Sequence, residues 1–229
     1  MKTKFLHIAT ALLFAGFTSS CSDFLDRYPL DELSDSSFWK TENDAMMAVT
    51  DIYGCLPTWD QDEDINSDNA VHGIKWAAGN ISKGIYDPMD QSWAGSYTPI
   101  RQCNLVLEKV KDIEMSDESR KKIEGQAYFF RAFVYFNLIR SFGDVPYIDK
   151  PLNLTDVEDI TRTPREEVYA KVMADFDKAI EYLPEEWDAA NTPRVTKGAA
   201  LAMKARAALY YSNWQVAADA SKAVIDFGK

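Results

Sequence analysis

The feature that most restricts the fold is one long segment, residues 116–143, that is apolar on almost every face. Ser116 is a good helix N-cap, acidic residues at 117 and 118 suit the first turn, and Gly143 is typical of a helix end. A helix with so little polar surface must be buried on most sides. The apolar residues recur at helical spacing and are widened by aromatic neighbours: Ile123, Ala127, Phe130, Val134 and Leu138, with Tyr128, Phe129, Phe133, Tyr135 and Phe136.

Five further segments show helical spacing, each with its own start and end signals, so the predicted fold class is all-α. No alternating pattern typical of strands persists anywhere in the sequence. We expect Thr163 to be the N-cap of its helix, with Pro164 as the first helical residue. The other four helices are expected to start near Thr41, Thr98, Thr196 and Trp214, and the predicted ends are Pro57, Ile113, Pro184, Ser212 and Gly228.

The last two helices resemble one tetratricopeptide unit. An alanine-rich helix at 197–212, a short turn at Ser212 and Asn213, and a helix starting with Trp214 would form a hairpin that stacks on its neighbours. We therefore predict tetratricopeptide-like helical hairpins together with a long irregular loop region at 57–94. Because such repeats need neighbours on both sides, we expect the sequence to be the front part of a longer protein.

The amino-terminal segment resembles a bacterial lipoprotein signal. Lys2 and Lys4 precede a short apolar run at 5–17, which is too short to cross a bilayer, and small residues lead into Cys21. The predicted organisation is a signal peptide at 1–20, an acylated tether at 21–40 with Cys21 lipidated (a palmitate-type anchor), and a helical body at 41–229. The alternative is ordinary secretion, with cleavage nearby and Cys21 unmodified.

Composition argues against several classes of function. The net charge of −11 disfavours nucleic acid, whose phosphates require Lys and Arg. His72 is the only histidine after the signal, so a metal site or a Ser-His-Asp triad is not expected, and no cofactor is predicted. A glycosidase would need two facing carboxylates, and no spacing indicates such a pair. Cys55 and Cys103 could pair outside the cytoplasm, but we favour two unpaired, buried thiols, because each lies on an expected helix face.

The loop region at 57–94 carries the candidate ligand-binding residues. Trp76 could stack on a sugar ring, and Asn80, Asp68 and Asn69 could bond its hydroxyl groups. The alternative is that the tryptophan is buried and the amides hold turns. For Trp93, at the end of this region, we favour a role in the core.

The chain resembles the SusD/RagB family of outer-membrane nutrient-binding lipoproteins. No single motif carries the resemblance; it depends on an ordered series along the whole mature chain. The series comprises 21–26 (CSDFLD), Phe38-Trp39, the stretch from Trp93 to 104–107 (NLVL), 125–138 (GQAYFFRAFVYFNL), 142–147 (FGDVPY), 163–166 (TPRE) and 194–200 (RVTKGAA).

The resemblance implies a helical body docked on a SusC-type TonB-dependent transporter, and capture of nutrients at the cell surface without chemistry. We therefore expect a lipid-anchored protein of the outer membrane that binds oligosaccharide or another nutrient. The alternative is a truncated tetratricopeptide-like adaptor that binds only the transporter. Tyr97, Asn104 and Arg131 match the family pattern, but at helix positions they are expected to fix packing.

Overall fold

The computed structural model describes residues 38–56, 93–157 and 159–227. The chain divides into two units, and the second begins at Trp39. In these described ranges no helix is both long and apolar enough to cross a membrane.

The described residues form six α-helices: α1 (Glu42–Ile52), α2 (Trp93–Lys109), α3 (Asp117–Phe142), α4 (Arg165–Tyr182), α5 (Lys197–Tyr210) and α6 (Trp214–Phe227). The described residues contain no strand, and their β-type pairing is one isolated bridge between Val145 and Thr163. The predicted all-α class is confirmed.

Helix α3 lies at the centre of the core. Thirteen of its 26 residues are buried, including the large rings of Phe130, Tyr135 and Phe136. Helices α1, α2 and α4 pack around it, and α5 reaches it through α4 and a smaller direct contact. Gly125 permits the close approach of α4, because a Cβ at this position would lie 3.0 Å from the Cβ of Tyr182. The expectation that this helix is buried on most sides is confirmed.

Most of the predicted start signals are the observed ones. Thr41 and Asp44 form a reciprocal capping box at α1, with the Thr41 amide 2.8 Å from the Asp44 carboxylate. Ser116 Oγ accepts from the Ser119 amide at 3.0 Å, and Thr196 Oγ1 accepts from the Ala199 amide at 3.3 Å. Each cap satisfies a backbone donor that has no partner inside its helix.

The predicted N-cap of α4 is wrong. Pro164 is the N-cap residue, and Thr163 instead forms two backbone hydrogen bonds with Val145. The Asp144 carboxylate accepts from the Arg165 amide at 3.0 Å, so a residue from the preceding loop supplies the missing cap. The backbone pairing of Thr163 with Val145, and not the local sequence, therefore decides which residue caps α4.

Other boundaries are also wrong. Helix α2 begins at Trp93, five residues before the expected Thr98, because the Trp93 ring packs edge-on against Phe142 with centroids 4.9 Å apart. Helix α1 ends at Ile52 and continues as a 3-10 turn through Cys55 rather than as α-helix to Leu56. Helix α5 ends at Tyr210, and Ser212, two residues later, adopts a left-handed φ of 57°.

Candidate functional site

The predicted site residues Cys21, Asp68, Asn69, Trp76 and Asn80 lie outside the described residues. The structure does describe the two helix ends between which residues 57–92 are inserted.

The start of α2 is fixed by aromatic packing. The Trp93 ring contacts Phe142 and Tyr97, and the guanidinium of Arg162 lies 5.1 Å from the centre of the indole. These contacts tie the beginning of α2 to the end of α3 and to the loop before α4. The preference for Trp93 as a packing residue is confirmed.

A groove of about 460 Å³ lies where the end of α1 and the start of α2 meet the middle of α3. We call it the α1–α2–α3 groove. Gln102 donates a hydrogen bond to the carboxylate of Asp51 across it, and the Phe133 ring is stacked with Phe129 at 6.4 Å. The side chains that define it are Asp51, Ser96, Thr98, Gln102, Phe133 and Asn137.

The groove is rich in hydrogen-bonding groups and poor in charge. Asp51 is the one ionisable carboxyl among its described lining residues, and no lysine, arginine or histidine is among them.

Burial raises the pKa of the neighbouring Cys55 thiol to about 11, so this thiol is protonated and a weak nucleophile at neutral pH. Neither Cys55 nor Cys103 is in a disulfide, and Cys103 is buried as expected, whereas Cys55 is only partly buried. In the described ranges no three potential metal ligands cluster. The groove can hold a polar ligand by hydrogen bonds.

A buried ionic network joins three helices. Arg131 of α3 donates to both carboxylate oxygens of Asp175 in α4, at 2.7 and 2.8 Å, and to the Asn104 side chain in α2 at 2.8 Å. Burial raises the pKa of Asp175, and the Arg131 guanidinium opposes that shift. Because both side chains are more than nine-tenths buried, the network holds helices together and does not meet a ligand.

The same network fixes the loop after α3. Asn104 donates to the Ile148 carbonyl at 2.9 Å, and the Tyr135 hydroxyl accepts from the Ile148 amide at 2.6 Å. Tyr97 donates to the Pro146 carbonyl at 3.1 Å. The packing roles expected for Tyr97, Asn104 and Arg131 are confirmed. Sequence reasoning missed Asp175, although an acid between Val172 and Phe176 on the apolar face of α4 was an available signal.

A second polar cluster fixes the end of α1, which forms one wall of the groove. The Gln126 side-chain oxygen accepts from the Tyr53 hydroxyl at 2.8 Å and from Arg194 at 3.2 Å. Arg194 also donates to the Thr50 hydroxyl at 2.9 Å, and the Val195 amide donates to the Tyr53 hydroxyl at 2.9 Å. Residues before α5 therefore hold α1 against α3, which fixes the shape of the groove.

Comparison with known proteins identifies the family. A profile of the SusD-like family described as "starch-binding associating with outer membrane" matches residues 23–209, most of the chain. The chain belongs to this SusD-like family.

Individual relatives agree. SusD-like protein P2 of Formosa agariphila is 29% identical over 98% of this chain and 46% of its own length. A crystal structure of a SusD-like protein from Bacteroides fragilis NCTC 9343 is 27% identical, with a TM-score of 0.78 over 88% of this chain and 41% of that one. A structure described as a laminarin-binding SusD-like protein is 24% identical and has the same fold, with a TM-score of 0.71 over 79% of this chain and 42% of that one. The chain spans less than half the length of the curated relatives it matches.

Several residues that carry the family pattern are structural partners in this fold. Asn104 and Arg131 belong to the buried network, and Pro146 lies in the loop that the network holds.

Proposed function

We propose that this chain is part of a cell-surface lipoprotein that binds oligosaccharide and delivers it to a SusC-like TonB-dependent transporter. The observation that carries the proposal is the match of residues 23–209 to a family described as starch-binding and associated with the outer membrane. The laminarin-binding description of one structural neighbour is in keeping with a carbohydrate ligand.

Binding without chemistry is the activity that the described groove favours. Its lining offers amides, hydroxyls and one carboxylate, which together suit hydroxyl groups, and it lacks a second carboxylate for acid-base catalysis. Trp76, with Asn80, Asp68 and Asn69, is proposed to contact the same ligand from the inserted segment at 57–92. Stacking of an indole on a sugar ring would add apolar contact to these hydrogen bonds.

Titration tests glycan capture. The purified full chain, kept in detergent, is titrated with maltoheptaose and with laminarihexaose by calorimetry. We expect binding of at least one of the two, and weaker binding by Trp76→Ala than by the control Trp214→Ala. Unchanged affinity in Trp76→Ala would remove Trp76 from the site. Release of smaller sugars from a labelled oligosaccharide would contradict a role limited to binding.

The proposed anchor is an acylated Cys21. Two or more acyl chains give stable membrane attachment, which a single chain does not. Labelling of cells with an alkyne analogue of palmitate should mark the full chain and not a Cys21→Ala variant, which should leave the membrane fraction. An unlabelled chain, or mass spectrometry that finds Cys21 unmodified, would contradict the anchor.

A second candidate is an adaptor that binds the transporter and no glycan. It is favoured by the apolar surface of the last hairpin, where Leu209, Tyr210 and Trp214 are each more than half exposed. A pull-down of the barrel from outer membranes, with and without oligosaccharide, separates the two candidates. Recovery of the barrel together with an absence of glycan binding by the chain would favour the adaptor.

A further inference from the structure

We propose that the α1–α2–α3 groove is a sugar subsite selective for neutral glycans over anionic ones. This inference rests on the proposed function, because it assigns part of the glycan contact to described helix residues rather than to residues 57–92. Three features of the groove support it: an amide that faces it, a hydrogen-bonded polar pair, and a lining without cationic side chains among the described residues.

The amide that faces the groove is that of Asn137. This residue lies on α3 between the buried Phe136 and Leu138, and its side chain faces the groove and is itself only partly exposed. The Asn137 side chain makes no hydrogen bond to any described residue. An amide has two donors and two acceptor lone pairs, and those of Asn137 are open to the groove rather than sealed from solvent. A ligand hydroxyl in the groove could bond to them.

The hydrogen-bonded pair is Asp51 with Gln102. Gln102 uses one amide hydrogen to bond one carboxylate oxygen of Asp51, so each side chain restrains the other. No other described residue bonds the second carboxylate oxygen of Asp51 or the amide oxygen of Gln102. Two acceptors beside each other suit adjacent hydroxyl groups of a sugar.

The groove also offers an apolar surface and a suitable size. The Phe133 ring, held by stacking on Phe129, lines the same groove as Thr98 and Asn137 and can contact the C–H face of a sugar ring. The volume of about 460 Å³ lies within the range of small-molecule sites, roughly 300–1,000 Å³. One or two sugar units are the natural occupant of such a space.

Charge decides the class of glycan. The described lining has one carboxylate and no cationic side chain to pair with a uronate or a sulfate group. An anionic sugar would bring a negative charge close to Asp51 and lose part of its hydration without compensation. A neutral sugar has no charge to be repelled by Asp51 or to lose its hydration. Its hydroxyl group can donate a charge-assisted hydrogen bond to the Asp51 carboxylate.

The experiment compares groove variants of the full chain in detergent. Asn137→Ala and Gln102→Ala each remove a hydrogen-bonding amide, and Thr98→Trp fills the groove from an exposed position on α2. Gln215→Ala, an exposed amide on α6, is the matched control. Each variant is titrated with maltoheptaose, laminarihexaose and an alginate hexamer, and thermal melting verifies that it is folded.

We expect at least one of the two neutral oligomers, maltoheptaose or laminarihexaose, to bind the wild type and the Gln215→Ala control with the same affinity. The two alanine variants should bind it about five- to tenfold more weakly, as the loss of one hydrogen bond implies. Thr98→Trp should abolish binding, and the alginate hexamer should not bind. Equal binding by all folded variants, or preferred binding of alginate, would overturn the subsite and leave the proposed function standing. If no glycan binds the wild type, the proposed function fails as well.

Discussion

The centre of the body and its last hairpin show how differently the same helical pattern can be used. Helix α3 buries thirteen of its 26 residues, whereas α6 buries only Ala217 and Ala220 among 14. Both helices carry apolar side chains at helical spacing. Neighbours on several sides of α3 cover its side chains, while on the hairpin Leu209, Tyr210, Trp214 and Ile225 are each more than half exposed. Burial is therefore a property of the neighbours and not of the pattern alone.

Charged pairs differ in the same way. The Arg131–Asp175 pair in the core has both side chains less than one-tenth exposed, whereas Lys222–Asp226 on α6 is exposed to solvent at both ends. Coulomb attraction and the penalty for an unpaired charge both grow as solvent is excluded. Equivalent substitutions in the two regions should consequently have very different effects.

The largest expected effect is the loss of the buried arginine. Arg131→Met leaves the Asp175 carboxylate without its partner inside the core, and should lower the free energy of unfolding by about 3–5 kcal/mol. Lys222→Met, the matched change on the hairpin, should lower it by less than about 0.5 kcal/mol. Urea unfolding of the full chain measures both.

A double variant controls for the missing charge. Arg131→Met combined with Asp175→Leu removes both partners and should recover part of the lost stability. Similar losses in Arg131→Met and Lys222→Met would show that the buried pair is not the stronger constraint.

Glycine-to-alanine substitutions at two positions compare the tight packing of α3 with the looser packing of α5. In Gly125→Ala the new methyl would lie 3.0 Å from the Tyr182 Cβ and 3.2 Å from the Leu183 amide nitrogen, so we expect a loss of about 1–2 kcal/mol. In Gly198→Ala, on α5, the nearest atom is 3.7 Å away, and the higher helix propensity of alanine should add about 0.5–1 kcal/mol. Thermal and urea melting compare the two, and a gain at both positions would show that α4 can move away from α3.

Alkaline pH should loosen the loop that α3 holds. Burial raises the pKa of Tyr147 from its ordinary value of 10.0 to about 12. Between these values the phenol ionises in the unfolded chain before it does so in the folded one, so the unfolded state binds fewer protons and stability falls as pH rises. Tyr147→Phe should make the fall in unfolding free energy between pH 10 and 12 shallower. The same slope in wild type and variant would contradict this.

The smallest effect is expected on the open face of the hairpin. Ile225 is 67% exposed, so Ile225→Ala should change the unfolding free energy by no more than about 0.5 kcal/mol. Ile123→Ala, the same change at a fully buried position of α3, should cost about 2–5 kcal/mol. A large loss in Ile225→Ala would show that the isolated chain covers this face by self-association, which sedimentation at two concentrations would detect.

Much of the helical framework follows from local sequence signals. Thr41, Ser116 and Thr196 are caps because their side chains can reach a nearby amide, and the all-apolar character of 116–143 predicts a central helix. Local signals did not predict the early start of α2 at Trp93 or the capping of α4 by Asp144. Each of these features depends on a contact between residues far apart in sequence, so neighbouring residues alone do not indicate it.

The candidate site divides in the same way. The residues proposed from sequence lie in one stretch, Asp68 to Asn80, because aromatic and amide residues cluster there along the chain. The α1–α2–α3 groove brings together Asp51, Gln102 and Asn137, which are far apart in sequence. Each is an ordinary polar residue of a helix, so spacing alone could not have selected them.

The sequence by itself determined that the chain is helical, where most helices begin and that one of them must be central, because capping and apolar periodicity act within a few residues. Only the tertiary structure decided which polar groups are buried as partners and which remain open to a ligand. Asn104 and Asn137 are both asparagines on helices, but one is satisfied by Arg131 and the Ile148 carbonyl while the other faces a groove. The physical reason is that the cost of an unmade hydrogen bond depends on what surrounds it, and the fold alone supplies those surroundings.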